Sequence, residues 1–205
     1  MATLEFFFDC SSPWTYLAFH KVEEVARAAR AELVWRPFLV GGVFNAVNPS
    51  VYEARKGLNA PTVPSKARYY FKDLADWSSA YGIKIGQPPV FPVNSVKAMR
   101  GAFVALEHGV LPAYARAVFE TYWGDLADIS QDEVLEPIVA RAGLDRAEFF
   151  AKITDPVYKQ KLRASTDELI ARGGFGSPTM FVNRDDMYFG NDRLALVRDA
   201  LERSA

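Results

Sequence analysis

The chain has 205 residues, half of them apolar and 14% aromatic, which is enough to bury a sizeable core as one large domain or two small ones. A formal charge of -1 without any Lys/Arg-rich run excludes the electrostatic footprint of a nucleic-acid binder or a membrane-surface protein. A single cysteine excludes an intramolecular disulfide, and only two histidines argue against a zinc site.

The chain opens on an apolar strand over residues 3–9, without the basic start and cleavage site of a secretory signal. No apolar run nears the roughly 20 residues that span a bilayer, so a cytoplasmic protein without a membrane partner is expected. Ser12-Pro13 then opens a helix, with Ser12 as its N-cap and Pro13 in its first turn. Ala18, Val22, Val25 and Ala29 give that helix its buried face. Residues 32–38 read as a second strand, closed by Pro37 and then Gly41-Gly42, which completes a right-handed β-α-β unit. Residues 43–64 hold three prolines and read as loop or loosely helical. Helical periodicity follows over 66–81, 96–107, 113–123, 131–141, 146–153 and 156–171, with Gly109, Gly143 and Gly173 as natural stops. Residues 179–183 and 187–190 read as a hairpin around a turn at 184–186, and a last helix starts at Asn191-Asp192. Neither end has enough strands to close a sheet alone. Pairing them gives an α/β fold with one four-stranded sheet, interrupted by a large all-helical insertion.

Three motifs in this order, FDCSSPWTYLA at 8–18, GSPTMFVN at 176–183 and FGNDR at 189–193, resemble the 2-hydroxychromene-2-carboxylate isomerases. These are glutathione-dependent relatives of the kappa-class glutathione transferases within the DsbA-like group. The resemblance covers nearly the whole chain and implies a thioredoxin-like domain (1–42 and 174–205) split by a helical domain (43–173), in a homodimer. Where a redox relative carries Cys-x-x-Cys, this chain has Ser12-Pro13-Trp14-Thr15, so no dithiol chemistry is available there.

The resemblance makes Ser12 the catalytic residue, set beside the sulfur of glutathione. A hydroxyl donor and helix N-terminal amides both favour thiolate over thiol. Ser12 itself has no Asp/His relay, because His20 lies about two turns further along the same helix. The resemblance also implies a cis Ser177-Pro178 bond facing that turn, with the Ser177 backbone pairing a peptide-like ligand as a short added strand. It assigns Gly190, Asn191 and Asp192 to the γ-glutamyl group, the Asp192 carboxylate meeting the ammonium. In LNAPTVPSK, residues 58–66, it assigns Asn59 and Lys66 to the same ligand. Asn94 matches a substrate-contacting asparagine, and Asn45 stands where many isomerases have a basic residue. The remaining candidates read as structural: Cys10 as a small core residue, His108 as a helix C-cap.

The implied reaction is isomerisation of an aromatic, ring-derived 2-oxo acid through transient thiolate addition, with glutathione regenerated. Glutathione transfer to another electrophile, or peroxide reduction, uses the same residues and stays open. So does a non-enzymatic thioredoxin-like peptide-binding module.

Overall fold

The computed structural model describes residues 1–47 and 64–204. Strands β1 (Thr3–Phe8), β2 (Glu32–Pro37), β3 (Thr179–Val182) and β4 (Asp186–Phe189) form one sheet of order β2-β1-β3-β4. β1 runs parallel to β2, from Thr3↔Glu32 to Phe8↔Pro37, and antiparallel to β3, from Leu4↔Val182 to Phe7↔Thr179. The two ends of the chain therefore share a sheet, as expected from their strand count.

The central position of β1 follows from its sequence. Leu4, Phe6 and Phe8 point to one face and join the main core, whereas Phe7 points to the other and packs with Phe38, Val43, Leu169 and Phe181. A strand buried on both faces needs a continuous apolar run. Glu5, the one charge that β1 itself places on the Phe7 face, is met by Arg172, whose guanidinium also lies 3.8 Å from the Phe181 ring centroid.

Helix α1 (Pro13–Ala28) begins at its expected cap: the Ser12 side chain accepts the Thr15 N–H at 3.3 Å. Gly41 and Gly42, read from sequence as the stop after β2, instead lie in the first turn of helix α2 (Val40–Val47). Two distant side chains start this helix. The Asp9 carboxylate accepts the Val40 N–H at 2.9 Å, and Thr166 Oγ1 accepts the Leu39 N–H at 3.0 Å. Gly42 also lets α2 lie close to its neighbour, since a Cβ there would sit 3.1 Å from Thr166 Cγ2.

The helical stretch comprises α3 (Pro64–Tyr81), α4 (Val96–Glu107), α5 (Leu111–Phe119), α6 (Asp132–Arg141), α7 (Arg146–Thr154) and α8 (Pro156–Ala171). α5 runs into a single π-helical turn, Glu120–Gly124, that buries Tyr122 and Trp123. Gly109, Gly143 and Gly173 end their helices with positive φ, as read from sequence. The hairpin turn lies one residue earlier than expected, at 183–185, because Asp186 belongs to β4; Asn183 and Arg184 take positive φ in it. A 3-10 turn, Asn191–Arg193, precedes the last helix, α9 (Leu194–Arg203), which packs on α1. Among the described residues, no helix is long and apolar enough to cross a membrane.

Candidate active site

The site forms where the N-terminus of α1 faces the loop before β3. Ser177-Pro178 is cis. Ser12 Oγ donates to the Ser177 carbonyl at 3.1 Å while accepting the Thr15 N–H. Ser177 Oγ accepts the Asp9 N–H at 3.1 Å and lies 2.7 Å from Thr15 Oγ1. Three hydrogen bonds thus hold the Ser-Pro loop against the end of β1 and the first turn of the helix, where amide N–H groups favour negative charge.

Beneath this turn lies Asp9, fully buried. Its Oδ1 accepts the Ser11 N–H at 2.9 Å, and its Oδ2 accepts the Val40 N–H at 2.9 Å and the Ser95 hydroxyl at 3.1 Å. Burial pushes the Asp9 carboxyl above the ordinary carboxylate range, against the pull of those hydrogen bonds. One side chain so ties together the α1 turn, the start of α2 and the start of α4. Sequence reading missed it, although an acid closing the run Phe6-Phe7-Phe8 was the available signal: a charge at the end of a buried strand needs partners.

A cavity of about 440 Å³ opens above these groups. Its walls are Trp14, residues 39–42, Phe44, Tyr70, residues 91–96 and Phe189, and its floor includes Ser12 and Ser177. Asn45 and Asn94 both line it, so the structure brings them to one cavity with Ser12 and Ser177. Asn94 Oδ1 accepts the Val96 N–H at 3.2 Å, leaving its amide N–H groups for other partners.

A second cavity of about 500 Å³ shares Trp14, Ser177 and Phe189 with the first and reaches Gly190, Asn191 and Asp192. Gly190 has φ 101°, and a Cβ there would sit 2.8 Å from Asp192 Oδ1, so the turn requires glycine. Asn191 is 4% exposed, yet its Nδ2 has no hydrogen-bond partner. Asp192 is half-exposed and pairs with Arg193 at 2.6 Å. The opposite wall is Tyr69, Asp73 and Trp77, one stripe of α3 at four-residue spacing. The helix over 66–81 was legible; that Tyr69, Asp73 and Arg193 border this cavity was not.

Lys66 is exposed in the first turn of α3 and lines neither cavity, and Asn59 lies outside the described residues. Cys10 is buried, its thiol held well above the usual range by burial and by the adjacent Asp9 carboxylate, and its N–H donates to Met99 Sδ at 3.4 Å. It is a core residue. His20 stacks on Tyr81, with ring centroids 6.1 Å apart, and takes no part in the Ser12 network. His108 caps α4 and meets Glu148 at 3.1 Å. Tyr69 and Phe71 are exposed, and of the two only Tyr69 lines a cavity.

Known proteins share this fold and sequence. The model of the DSBA-like thioredoxin domain matches residues 3–202. The chain is 31% identical over 202 residues to a 2-hydroxychromene-2-carboxylate isomerase of Pseudomonas sp. (strain C18), covering 97% of this chain and 89% of that one. Glutathione S-transferase kappa 1 of Rattus norvegicus is 26% identical over 208 residues, covering 95% of this chain and 88% of the relative. Among solved structures, a 2-hydroxychromene-2-carboxylate isomerase superposes with a TM-score of 0.83 at 25% identity, over 98% of this chain and 95% of that chain. A probable DsbA oxidoreductase from Streptomyces coelicolor shares the fold, with a TM-score of 0.81 at 20% identity, over 100% and 90% of the two chains. With Ser12 and Thr15 in place of a dithiol, facing a cis Ser177-Pro178 loop, the chain belongs to the 2-hydroxychromene-2-carboxylate isomerase family of DsbA-like thioredoxin-fold proteins.

Proposed function

We propose that this protein is a glutathione-dependent isomerase acting on 2-hydroxychromene-2-carboxylate-like, ring-derived 2-oxo acids. The observation that carries the reading is the junction of two cavities at Trp14, Ser177 and Phe189, with Ser12 on the first beside it. One cavity offers a peptide-sized polar groove and the other an apolar slot.

The residues present fit glutathione. Asp192 supplies a half-exposed carboxylate for the γ-glutamyl ammonium, and the orphaned Nδ2 of Asn191 is a buried donor for its carboxylate. Gly190 gives these two their approach, and Ser177 with Pro178 offers a backbone edge. Family resemblance adds Asn59, outside the described residues, and Lys66, which lines neither cavity. Bound glutathione would supply a nucleophilic sulfur at neutral pH. Ser12 and the α1 amides hold negative charge at that atom, and Trp14, Tyr70 and Phe91 exclude water from the slot. Asn45 and Asn94 orient polar groups of the substrate.

A second reading, glutathione transfer to or peroxide reduction of another electrophile, is favoured by one feature. Asn45, on the wall of the slot, replaces the basic residue that many isomerases have for a substrate carboxylate. With the enzymatic reading go a discontinuous thioredoxin-like domain with a helical insertion, a homodimer and a cytoplasmic setting.

Calorimetric titration of glutathione into wild type and Asp192→Ala tests the cofactor site, followed by turnover assays with a chromene carboxylate and with chloronitrobenzene electrophiles. Saturable binding that Asp192→Ala weakens, with chromene turnover, is the expected result. No binding at millimolar glutathione overturns both enzymatic readings.

A further inference from the structure

The Ser12 hydroxyl has one proton, and the structure shows where it goes. It is donated to the Ser177 carbonyl, while the oxygen accepts the Thr15 N–H. A hydroxyl engaged in this way has no second proton to give a sulfur above it. The Ser177 carbonyl, in turn, is the acceptor that a peptide ligand needs if it is to add as a strand to this loop. One donor and one acceptor that the proposed cofactor requires are therefore bonded to each other.

We propose that the two are exchanged. When a peptide N–H takes the Ser177 carbonyl, the Ser12 hydroxyl is released from it and turns its proton to the ligand sulfur. Rotation about one side-chain torsion is sufficient, because the Thr15 N–H holds only the oxygen of Ser12. The Ser177 carbonyl stays in position throughout, since its own hydroxyl is fixed by the Asp9 N–H and by Thr15 Oγ1. The consequence is selectivity: the loop stabilises the thiolate of a thiol that brings a correctly placed peptide N–H, and leaves the thiolate of a simple thiol unassisted. This inference rests on the glutathione reading above and adds a requirement to it.

Two measurements test it on the whole protein. The first is the pH titration of bound thiolate absorbance, with glutathione and with an isosteric analogue whose cysteinyl N–H is replaced by an ester oxygen. Glutathione should titrate at least about one pH unit lower when bound than when free, and the analogue should keep less than half of that shift. Equal shifts for the two ligands overturn the exchange while leaving glutathione binding intact. The second uses S-methylglutathione, whose sulfur cannot be a thiolate. If the two bonds exchange, wild type gives up the Ser12–Ser177 bond to admit it, whereas Ser12→Ala presents the carbonyl without that bond. The variant should bind it about two- to tenfold more tightly by calorimetry. Weaker or equal binding by Ser12→Ala overturns the exchange, even if the ester analogue fails to bind. Failure of wild type to bind glutathione itself is a different outcome, and removes the function reading together with the inference.

Discussion

Thr15 Oγ1 and Ser177 Oγ lie 2.7 Å apart, joining positions 162 residues distant in the chain. Both groups are buried, and Thr15 stands at the last place of the Ser12-Pro13-Trp14-Thr15 quartet. The contact replaces covalent redox chemistry with a fixed hydrogen bond between the helix start and the cis-proline loop. It holds in place the backbone against which a peptide ligand would lie.

Replacing Thr15 by Val keeps the shape and removes the hydroxyl. The expected cost is about 1 kcal/mol of stability, with a several-fold loss of glutathione affinity as the Ser177 loop loses its pin. Thr15→Ser should restore both. Urea denaturation and calorimetry check this, and a Val variant with unchanged affinity would show that the loop is held by other contacts.

Asp9→Asn places an amide where two separate oxygens each receive an N–H. One of those donors must then face Nδ2, so a loss of about 1–3 kcal/mol is expected, together with disorder of the α2 wall of the slot. The pH dependence changes as well. Since the Asp9 carboxyl is raised by burial, the folded protein holds its proton more tightly than the unfolded chain. Ionisation thus opposes folding above the folded pKa, and this cost is relieved as pH falls through that pKa toward the ordinary value of 3.8. Wild type should show this slope in thermal melts and Asp9→Asn should not.

Glu107 acts in the opposite sense. Burial alone would raise its pKa, but hydrogen bonds from Lys161, Tyr158 and Lys152 outweigh it and bring the carboxyl down to about 2, from 4.5. Its contribution is present above the unfolded value and is lost as pH falls from about 4.5 to about 2. Glu107→Gln should therefore lose stability at neutral pH and show a shallower decline across that acid window. An unchanged acid limb in the variant would remove the cluster as a source of acid sensitivity. The cluster is partly exposed, so added salt should weaken its effect.

Gly101 lies on α4 where Tyr114 and Phe149 cross it, and an added Cβ would collide with both rings. Neither ring can withdraw: Tyr114 donates to the Ala98 carbonyl at 2.9 Å, and both are completely buried. Gly101→Ala should cost about 1–3 kcal/mol despite its better helix propensity. A denaturation midpoint at or above that of wild type would contradict this packing.

The order of elements was legible because each signal is local. The run Phe6-Phe7-Phe8 specifies a doubly buried strand, Ser12-Pro13 a helix start, and Gly109, Gly143 and Gly173 helix ends. These follow from backbone sterics and apolar periodicity, which act within a few residues. The α2 start was missed for the complementary reason. Its donors are satisfied by Asp9 and Thr166, one preceding it by 31 positions and the other following Leu39 by 127.

By itself, then, the sequence determined a strand-helix-strand head, a helical middle, a strand-strand-helix tail and the hydroxyls that stand in for a redox pair. Only tertiary structure decided that Asp9 ties three elements under the site, that Asp73 and Arg193 border one cavity, and that the Ser12 proton rests on Ser177. Side-chain hydrogen bonds between distant segments depend on how finished helices and strands dock. That docking is set by total burial, which no short window of residues encodes.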